Sequence, residues 1–253
     1  MRIVCLSAEA ADICFRLGVW DCVVGVSAFC PNHVPKKPIV FGFSRGHIDR
    51  ILAVQPNLVI TFSDVQARIA RDLIAAGSPV LALNHHSFKG IGDAIRLLGR
   101  LLQVTAAGAR LAKRFELDAA NLRFSPARRP RIYFEEWDNP MISGIGWVSE
   151  LICLAGGCNA FEDLLSCKAS DRVVSPEQVI SANPEIILAS WCGKSVDLRS
   201  ICLRPGFENV EAVRRGQVFA IDSSKVLQAG PVLLEGLKEV RAIVQAWSSR
   251  QNK

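Results

Sequence analysis

A segment that occurs twice constrains the fold of this chain more than any other feature of its sequence. Residues 51–60 (ILAVQPNLVI) are matched by residues 179–188 (VISANPEIIL), about half the chain length further on. In both copies a helix end is broken by a proline, and an apolar segment rich in β-branched residues follows. A segment of this kind, without polar alternation, is typical of a strand buried on both faces of a parallel sheet. The duplication therefore predicts two similar α/β lobes.

The order of apolar and amphipathic segments predicts the same fold class. Buried strands alternate with amphipathic helices in both halves of the chain, which indicates parallel sheets covered by helices on both faces. The predicted strands cover 2–6, 22–27, 57–62 and 79–83 in the first half and 131–135, 185–190 and 217–221 in the second; the predicted helices cover 8–17, 46–55, 64–76, 145–155, 175–182 and 231–248.

A helical region at about 91–123 separates the two halves. Thr105 is the predicted N-cap of its second segment, and Pro126 marks the beginning of the second lobe. We therefore predict three parts: an N-terminal α/β lobe at 1–88, linking helices at 89–125 and a C-terminal α/β lobe at 126–253.

Composition and charge exclude several classes of function. Half of the 253 residues are hydrophobic and 21% are charged, which is usual for a globular protein. No apolar run reaches the roughly 18 to 20 residues of a membrane span, so we expect no membrane insertion. The net charge of +6 is mild, and the basic cluster at 128–131 lacks interleaved aromatic residues, so we expect no nucleic-acid partner. We expect a monomer.

The cysteines and the N-terminus bear on the compartment. The nine cysteines form no CxxC pair and several lie in apolar stretches, so we expect free, largely buried thiols and no disulfide. Residues 1–7 read as a strand and not as a secretory signal. The sequence as written therefore predicts a cytoplasmic protein, or a periplasmic one if it is a mature form.

Several motifs together resemble the cobalamin-type substrate-binding proteins of ABC importers. The resemblance extends from about residue 2 to about residue 245. It is carried by Ser7-Ala8-Glu9, Leu17-Gly18, Val23–Ser27, Pro56–Ile60, Tyr133–Gly144, Trp147–Leu151, Ser190–Lys194 and Arg204–Phe207. The resemblance implies two Rossmann-like lobes with parallel sheets, joined by a long backbone helix, and a small ligand held in the cleft between them. It implies a corrinoid as the bound ligand, no intrinsic cofactor and no enzymatic activity.

Candidate ligand-binding residues lie where predicted strands end, which is the ligand-binding edge of an open parallel sheet. A flat corrin would be held by aromatic faces with a few polar groups at its amide fringe. We expect Phe62, Trp137 and Trp191 to line the site, with Glu135 and Cys192 at its edge. Further aromatic candidates are Phe29 and Trp147.

A metal site is a weaker hypothesis. His33, His85 and His86 are the candidate ligands, with Glu135 or Asp222 beside them. A metal-ion or siderophore-binding protein is therefore the alternative among binding proteins. A cytoplasmic sensor, or an enzyme using Glu135, Cys192 and a histidine, is the alternative from another class, and it rests on analogy of fold alone.

The chain departs from the importer-coupled pattern at the expected docking points for an ABC permease. Members of that group present one acidic residue on each lobe, which pairs with the permease. Residues 63–68 contain no glutamate, and residues 194–199 offer only Asp197. Loss of these charges would remove much of the steering and specificity of the contact. A permease therefore stays an expected partner whose acidic docking residues are not evident.

Overall fold

The chain divides into two units in the computed structural model, which describes residues 1–42, 48–164, 166 and 168–251. Within these residues, the first unit comprises Met1–His85 and Lys89–Glu116, and the second comprises His86–Phe88 and Leu117–Lys253. The predicted α/β class is confirmed, because each unit contains a mainly parallel sheet with helices.

The first unit contains a sheet of five parallel strands in the order β3-β2-β1-β4-β5. The central strand β1 is buried along its whole length, as its uninterrupted apolar sequence predicts. The strands are β1 (Ile3–Cys5), β2 (Val23–Ser27), β3 (Ile39–Phe41), β4 (Leu58–Phe62) and β5 (Val80–Leu83).

The helices of the first unit cover this sheet. Ile51 and Leu73, on two of these helices, pack with Val4, Leu6 and Val59 from the strands in one core cluster. The predicted helix at 46–55 is described from Ile48 only, and its first two residues lie outside the described part of the chain. The helices are α1 (Ala8–Arg16), α2 (Ile48–Ala53), α3 (Ala67–Ala75), α4 (Phe88–Leu101) and α5 (Thr105–Asn121).

The helical region predicted at 91–123 consists of two helices, α4 and α5. Thr105 begins the second of them, as predicted, and the division between the two units falls within α5. Gln103, between the helices, has a φ of 60°, so the chain leaves the right-handed helical region there.

The sheet of the second unit has the order β10-β9-β6-β7, with β8 also paired to β6. All pairs are parallel except β6–β7. The duplicated segments take equivalent places: β4 follows Pro56 and lies beside β1, while β9 follows Pro184 and lies beside β6. The strands are β6 (Arg131–Asp138), β7 (Met141–Ser143), β8 (Cys158–Asn159), β9 (Ile186–Ala189) and β10 (Val218–Ala220).

The helices of the second unit begin at strong sequence signals. In α7, Ser175 and Gln178 form a capping box and Pro176 occupies the first turn. The last helix begins at Leu233, two residues after Pro231, and buries Leu237, Val240 and Trp247 among others. The helices are α6 (Gly146–Leu154), α7 (Pro176–Ala182), α8 (Leu198–Cys202), α9 (Glu211–Arg214), α10 (Ser223–Val226) and α11 (Leu233–Gln251). None of the described helices is long and apolar enough to cross a membrane.

Candidate functional site

The carboxyl ends of β6 and β9 bring together two segments that are distant in sequence. The two strands are parallel neighbours, and Glu135 is paired with Ala189. Trp137 on β6 and Trp191 just after β9 therefore lie at the same edge of the sheet, where ligands bind in open parallel sheets. We call Trp137 and Trp191 the indole pair.

Glu135 forms the centre of a buried hydrogen-bond network below the indole pair. It is 0% exposed. Its Oε1 accepts from Trp191 Nε1 at 3.1 Å and from Arg204 Nη2 at 2.9 Å, and its Oε2 accepts from the Tyr133 hydroxyl at 3.1 Å and from Arg204 Nη1. Burial and the adjacent Glu135 raise the pKa of Tyr133. A buried charge is stable only when paired and hydrogen-bonded in this way, so Glu135 positions Trp191 instead of lying at an open edge.

Trp191 is far less accessible than its strand-end position suggested. It is 3% exposed and packs with Tyr133, Ile187 and Phe207 in the core of the second unit. Its expected role as an open ligand-binding face is therefore revised: the indole is buried in the core of the second unit. Trp137 is only partly buried, and its Nε1 donates to the Asn139 carbonyl at 3.0 Å.

Lys194 lies directly over the indole pair. Its ammonium is 4.3 Å from the ring centroid of Trp137 and 4.7 Å from that of Trp191. The same ammonium pairs with Asp138 Oδ1 at 2.6 Å. Burial alone would raise the pKa of Asp138, but hydrogen bonds from Lys194 and the backbone outweigh it, and the pKa is lowered. Lys194 was not among the predicted site residues, although its position two residues after Cys192 was a usable signal.

Glu136 and Cys192 complete this edge of the sheet. Glu136 pairs with Arg172 through both carboxylate oxygens, at 2.7 and 3.2 Å, and accepts from the Ile145 backbone at 3.1 Å. It is thus held by a different arginine from Glu135, as the alternation of side chains along a strand requires. Cys192 is exposed, but desolvation of its thiol and the nearby Glu136 raise its pKa. A raised pKa keeps the sulfur protonated and weakens it as a nucleophile.

Trp147, a further aromatic candidate, belongs to the packed interior of the second unit. It is 4% exposed, donates from Nε1 to the Val226 carbonyl at 2.9 Å, and stacks on His86 with 6.0 Å between ring centroids. The ring of Trp147 therefore packs against the ring of His86.

The first unit presents two aromatic residues at its own strand ends. Phe29 follows β2 and is 38% exposed, while Phe62 ends β4, is partly buried and contacts His85 edge-on at 5.1 Å. Gln66 fixes this edge: its Oε1 accepts from the Phe62 backbone and its Nε2 donates to the Leu6 carbonyl. The next residue, Ser63, has a φ of 56°, an unusual conformation of the sort that clusters at functional sites.

Two acidic residues on α1 are buried, and the sequence analysis did not identify the ion pairs of one of them, Asp12. Asp12 is 0% exposed, and its carboxylate pairs with Arg16 at 2.9 Å and with His33 Nε2 at 2.7 Å. Glu9 is 5% exposed, and burial raises its pKa. The spacing of Asp12 and Arg16 along a helix was a signal for the first pair.

The histidine candidates are held in three separate contacts. His33 contacts Asp12, His85 contacts Phe62, and His86 contacts Trp147. Across the described ranges, no three His, Cys, Asp or Glu side chains are close enough together to hold a metal ion. Eight cysteines of these ranges are free, and Cys167 lies outside them.

Two mainly parallel α/β units, each with aromatic side chains at the carboxyl ends of its strands, form the architecture that the motifs predicted. The chain belongs to the periplasmic binding protein family, whose family model matches residues 3–225. It is therefore a substrate-binding protein of the type that serves ABC importers, and the resemblance drawn from its motifs is confirmed at the level of the family.

Known proteins match most of the chain. An ABC transporter substrate-binding lipoprotein of Bacillus subtilis (strain 168) is 24% identical over 253 residues, covering 94% of this chain and 78% of the relative. A vitamin B12-binding protein of Vibrio campbellii is 27% identical over 203 residues, covering 78% and 73%. The solved structure of the periplasmic heme-binding protein RhuT from Roseiflexus sp. RS-1, in its apo form, aligns with a TM-score of 0.82 at 25% identity and covers 98% of each chain.

Proposed function

We propose that this protein binds a planar, metal-chelating macrocycle of the tetrapyrrole class for an ABC importer, with a corrinoid as the first candidate. The observation that carries this proposal is the indole pair at the adjacent ends of β6 and β9. The vitamin B12-binding relative supports a corrinoid. Phe29 and Phe62 add aromatic surface at the strand ends of the first unit.

Flat aromatic and apolar surface suits a macrocycle of this kind. Aromatic contacts contribute about 0.5–1.5 kcal/mol each beyond the area they bury. The indole of Trp191 is held by Glu135, which Arg204 and Tyr133 hold in turn, so the wall of the site is rigid before the ligand arrives. A preorganised wall lowers the entropy cost of binding.

Haem is the second candidate, because the chain places a cation on the aromatic surface itself. Lys194 contacts both rings of the indole pair, and an ammonium there suits a macrocycle that carries carboxylates at its edge. The structural similarity to RhuT supports the same ligand class. We propose a non-enzymatic role for either ligand, and the raised pKa of Cys192 supports it.

The importer role brings a permease partner and an exported location into the proposal. The Bacillus subtilis relative is a lipoprotein, which favours the periplasmic or cell-surface alternative over the cytoplasmic one. Asp197, the acidic residue considered for docking, accepts from the backbone N–H groups of Arg199 and Ser200 and so caps α8. Because this carboxylate already caps α8, we do not propose Asp197 as the acidic docking residue of the second unit.

Titration of the purified protein tests the ligand class. Cyanocobalamin, haemin and a ferric hydroxamate are added separately and followed by visible absorption and calorimetry. We expect saturable binding of a tetrapyrrole with an affinity in the micromolar range or tighter, and at least tenfold weaker binding by Trp137→Ala. Binding of the ferric hydroxamate alone would make the protein a siderophore binder. Lack of any spectral change with both tetrapyrroles at high micromolar concentration would refute the proposal.

A further inference from the structure

The Lys194 ammonium occupies the aromatic surface that a flat ligand would use. It stands 4.3 and 4.7 Å from the two indole centroids and is held there by Asp138 at 2.6 Å. The Lys194 side chain is 40% exposed and that of Asp138 is 24% exposed. Lys194 is therefore a cover with one side open to water, and it lies on the partly buried Trp137 as well as on the buried Trp191.

Two arginines of the same unit are held in place by their ion pairs, whereas the Lys194 ammonium can be displaced from its position. Arg204 and Arg172 are each bound by both oxygens of a glutamate, and their side chains are 15% and 1% exposed. Among the residues that the structure describes, Lys194 has one ion-pair partner, Asp138, and its stem is a flexible chain of four carbons. A partly exposed ion pair of this sort is worth little, so a ligand can displace the ammonium from Asp138 at small cost.

We propose that Lys194 determines ligand specificity by selecting macrocycles that carry an acidic group at their edge. A flat ligand that stacks on the indole pair must move the ammonium aside. The displaced ammonium stays tethered at the rim of the aromatic surface, where it pairs with a carboxylate or phosphate of the ligand. A ligand fringed only by amides makes the same displacement and gains no such pair. This inference rests on the proposed function and selects within its ligand class.

The test compares two ligands in the same variants. Haemin carries carboxylates at its edge, whereas dicyanocobinamide carries amides and no acid. Dissociation constants are measured for wild type, Lys194→Met, Lys194→Arg and Lys225→Met. Lys194→Met removes the charge and the ion pair with Asp138 that holds the side chain over the rings, so we expect haemin to bind about tenfold more weakly and dicyanocobinamide about threefold more tightly. Lys194→Arg keeps the charge and should retain the wild-type ratio of the haemin and dicyanocobinamide affinities.

Lys225 supplies the matched control. It pairs with Glu239 at 2.9 Å, and its side chain is 40% exposed, like that of Lys194. Lys225→Met therefore removes an equivalent surface ion pair, whose partner Glu239 lies on α11 and not beside an indole, and both affinities should stay within twofold of wild type. Thermal unfolding of each variant checks that the fold is unchanged.

The outcomes separate the two proposals. If wild type binds a tetrapyrrole and Lys194→Met changes both affinities in the same direction, or neither, Lys194 does not select the ligand and the proposed function stands. If wild type binds neither macrocycle, the proposed function and this inference both fall. If Lys194→Met weakens the binding of haemin and strengthens that of dicyanocobinamide, and Lys225→Met changes neither affinity, the inference is established.

Discussion

Glu9 lies in the first turn of α1, where the fold leaves its side chain 5% exposed. Within the described residues its Oε1 accepts no hydrogen bond, and burial raises the pKa above the ordinary value of 4.5. The folded protein then binds a proton more tightly at Glu9 than the unfolded chain does. Stability from this group is fully present below pH 4.5 and is lost as the pH rises through the raised pKa.

Substitution of Glu9 by glutamine tests this linkage. Glu9→Gln removes the buried charge, so the free energy of unfolding at pH 7 should rise by about 1 kcal/mol, with little change at pH 4. Urea unfolding at a series of pH values between 4 and 8 measures the effect, and the exposed Glu208→Gln serves as the control. A loss of stability at pH 7 in Glu9→Gln would show that the carboxylate is stabilised where it lies.

The site residues show what sequence reasoning reaches and what it misses at this scale. The aromatic residues at strand ends were predicted from their polar surroundings, and both members of the indole pair lie at the predicted edge. Their exposure was not predictable from the sequence. Trp191 is held in the core by a hydrogen bond to Glu135, and the ion-pair partner of Glu135, Arg204, is 69 residues away. A separation of 56 residues likewise hid the ion pair between Lys194 and Asp138.

At the scale of elements, α4 and α5 approach each other through two glycines. A Cβ at Gly99 would lie 2.7 Å from Gly108 Cα, and a Cβ at Gly108 would lie 2.9 Å from Gly99 Cα. These contacts involve backbone atoms, which cannot move aside as a flexible side chain can. The two helices can therefore pack this closely only because both positions lack a Cβ, although glycine is ordinarily unfavourable inside a helix.

Alanine substitutions separate the steric cost of a Cβ between the helices from the gain in helix propensity. Gly99→Ala should destabilise the protein by about 1–3 kcal/mol, because the helices must shift apart. Gly92→Ala is the matched control, since its Cβ would meet the ends of two side chains, Glu116 at 2.6 Å and Arg96 at 3.1 Å, and no backbone atom of the other helix at that range. These side chains can move, so this variant should be neutral or gain up to about 1 kcal/mol from helix propensity. Urea unfolding gives both values, and equal effects would contradict the close approach of the helices.

Element positions were predicted better than element number. The apolar strands β1, β2, β4 and β5 lie within one residue of their predicted bounds at each end, because their signal is local. Strands β3, β7 and β8 were not predicted. Each has only two or three residues and forms by pairing with β2 or β6, which a local pattern does not encode.

At the scale of the whole molecule, the free thiols bear on the compartment. Cys5 and Cys14 are buried with their Sγ atoms 3.9 Å apart, and the pKa of Cys5 is raised mainly by its hydrogen bond with Cys14 and by burial. Desolvation and Asp12 raise the pKa of Cys30 to about 11. Protonated, buried thiols resist oxidation, so these sites remain compatible with an exported protein.

Alkylation measured by mass spectrometry tests the thiol prediction. In the native protein, the exposed Cys153 should react first, the exposed Cys192 more slowly because its pKa is raised, and Cys5 and Cys14 only after unfolding. Under denaturing, non-reducing conditions all nine cysteines should be labelled. A pair of cysteines that reacts only after reduction would establish a disulfide and contradict the prediction.

The sequence by itself determined the family, the α/β class and the places of the main strands. Prolines that end helices and apolar segments that form buried strands act over a few residues, so their effect is readable along the chain. Tertiary structure decided how deeply each aromatic residue is buried, which carboxylates are paired and which cation lies over the indole pair. These properties depend on burial and charge from partners 56 or 69 residues away, and only the folded sheet of the second unit brings those partners together.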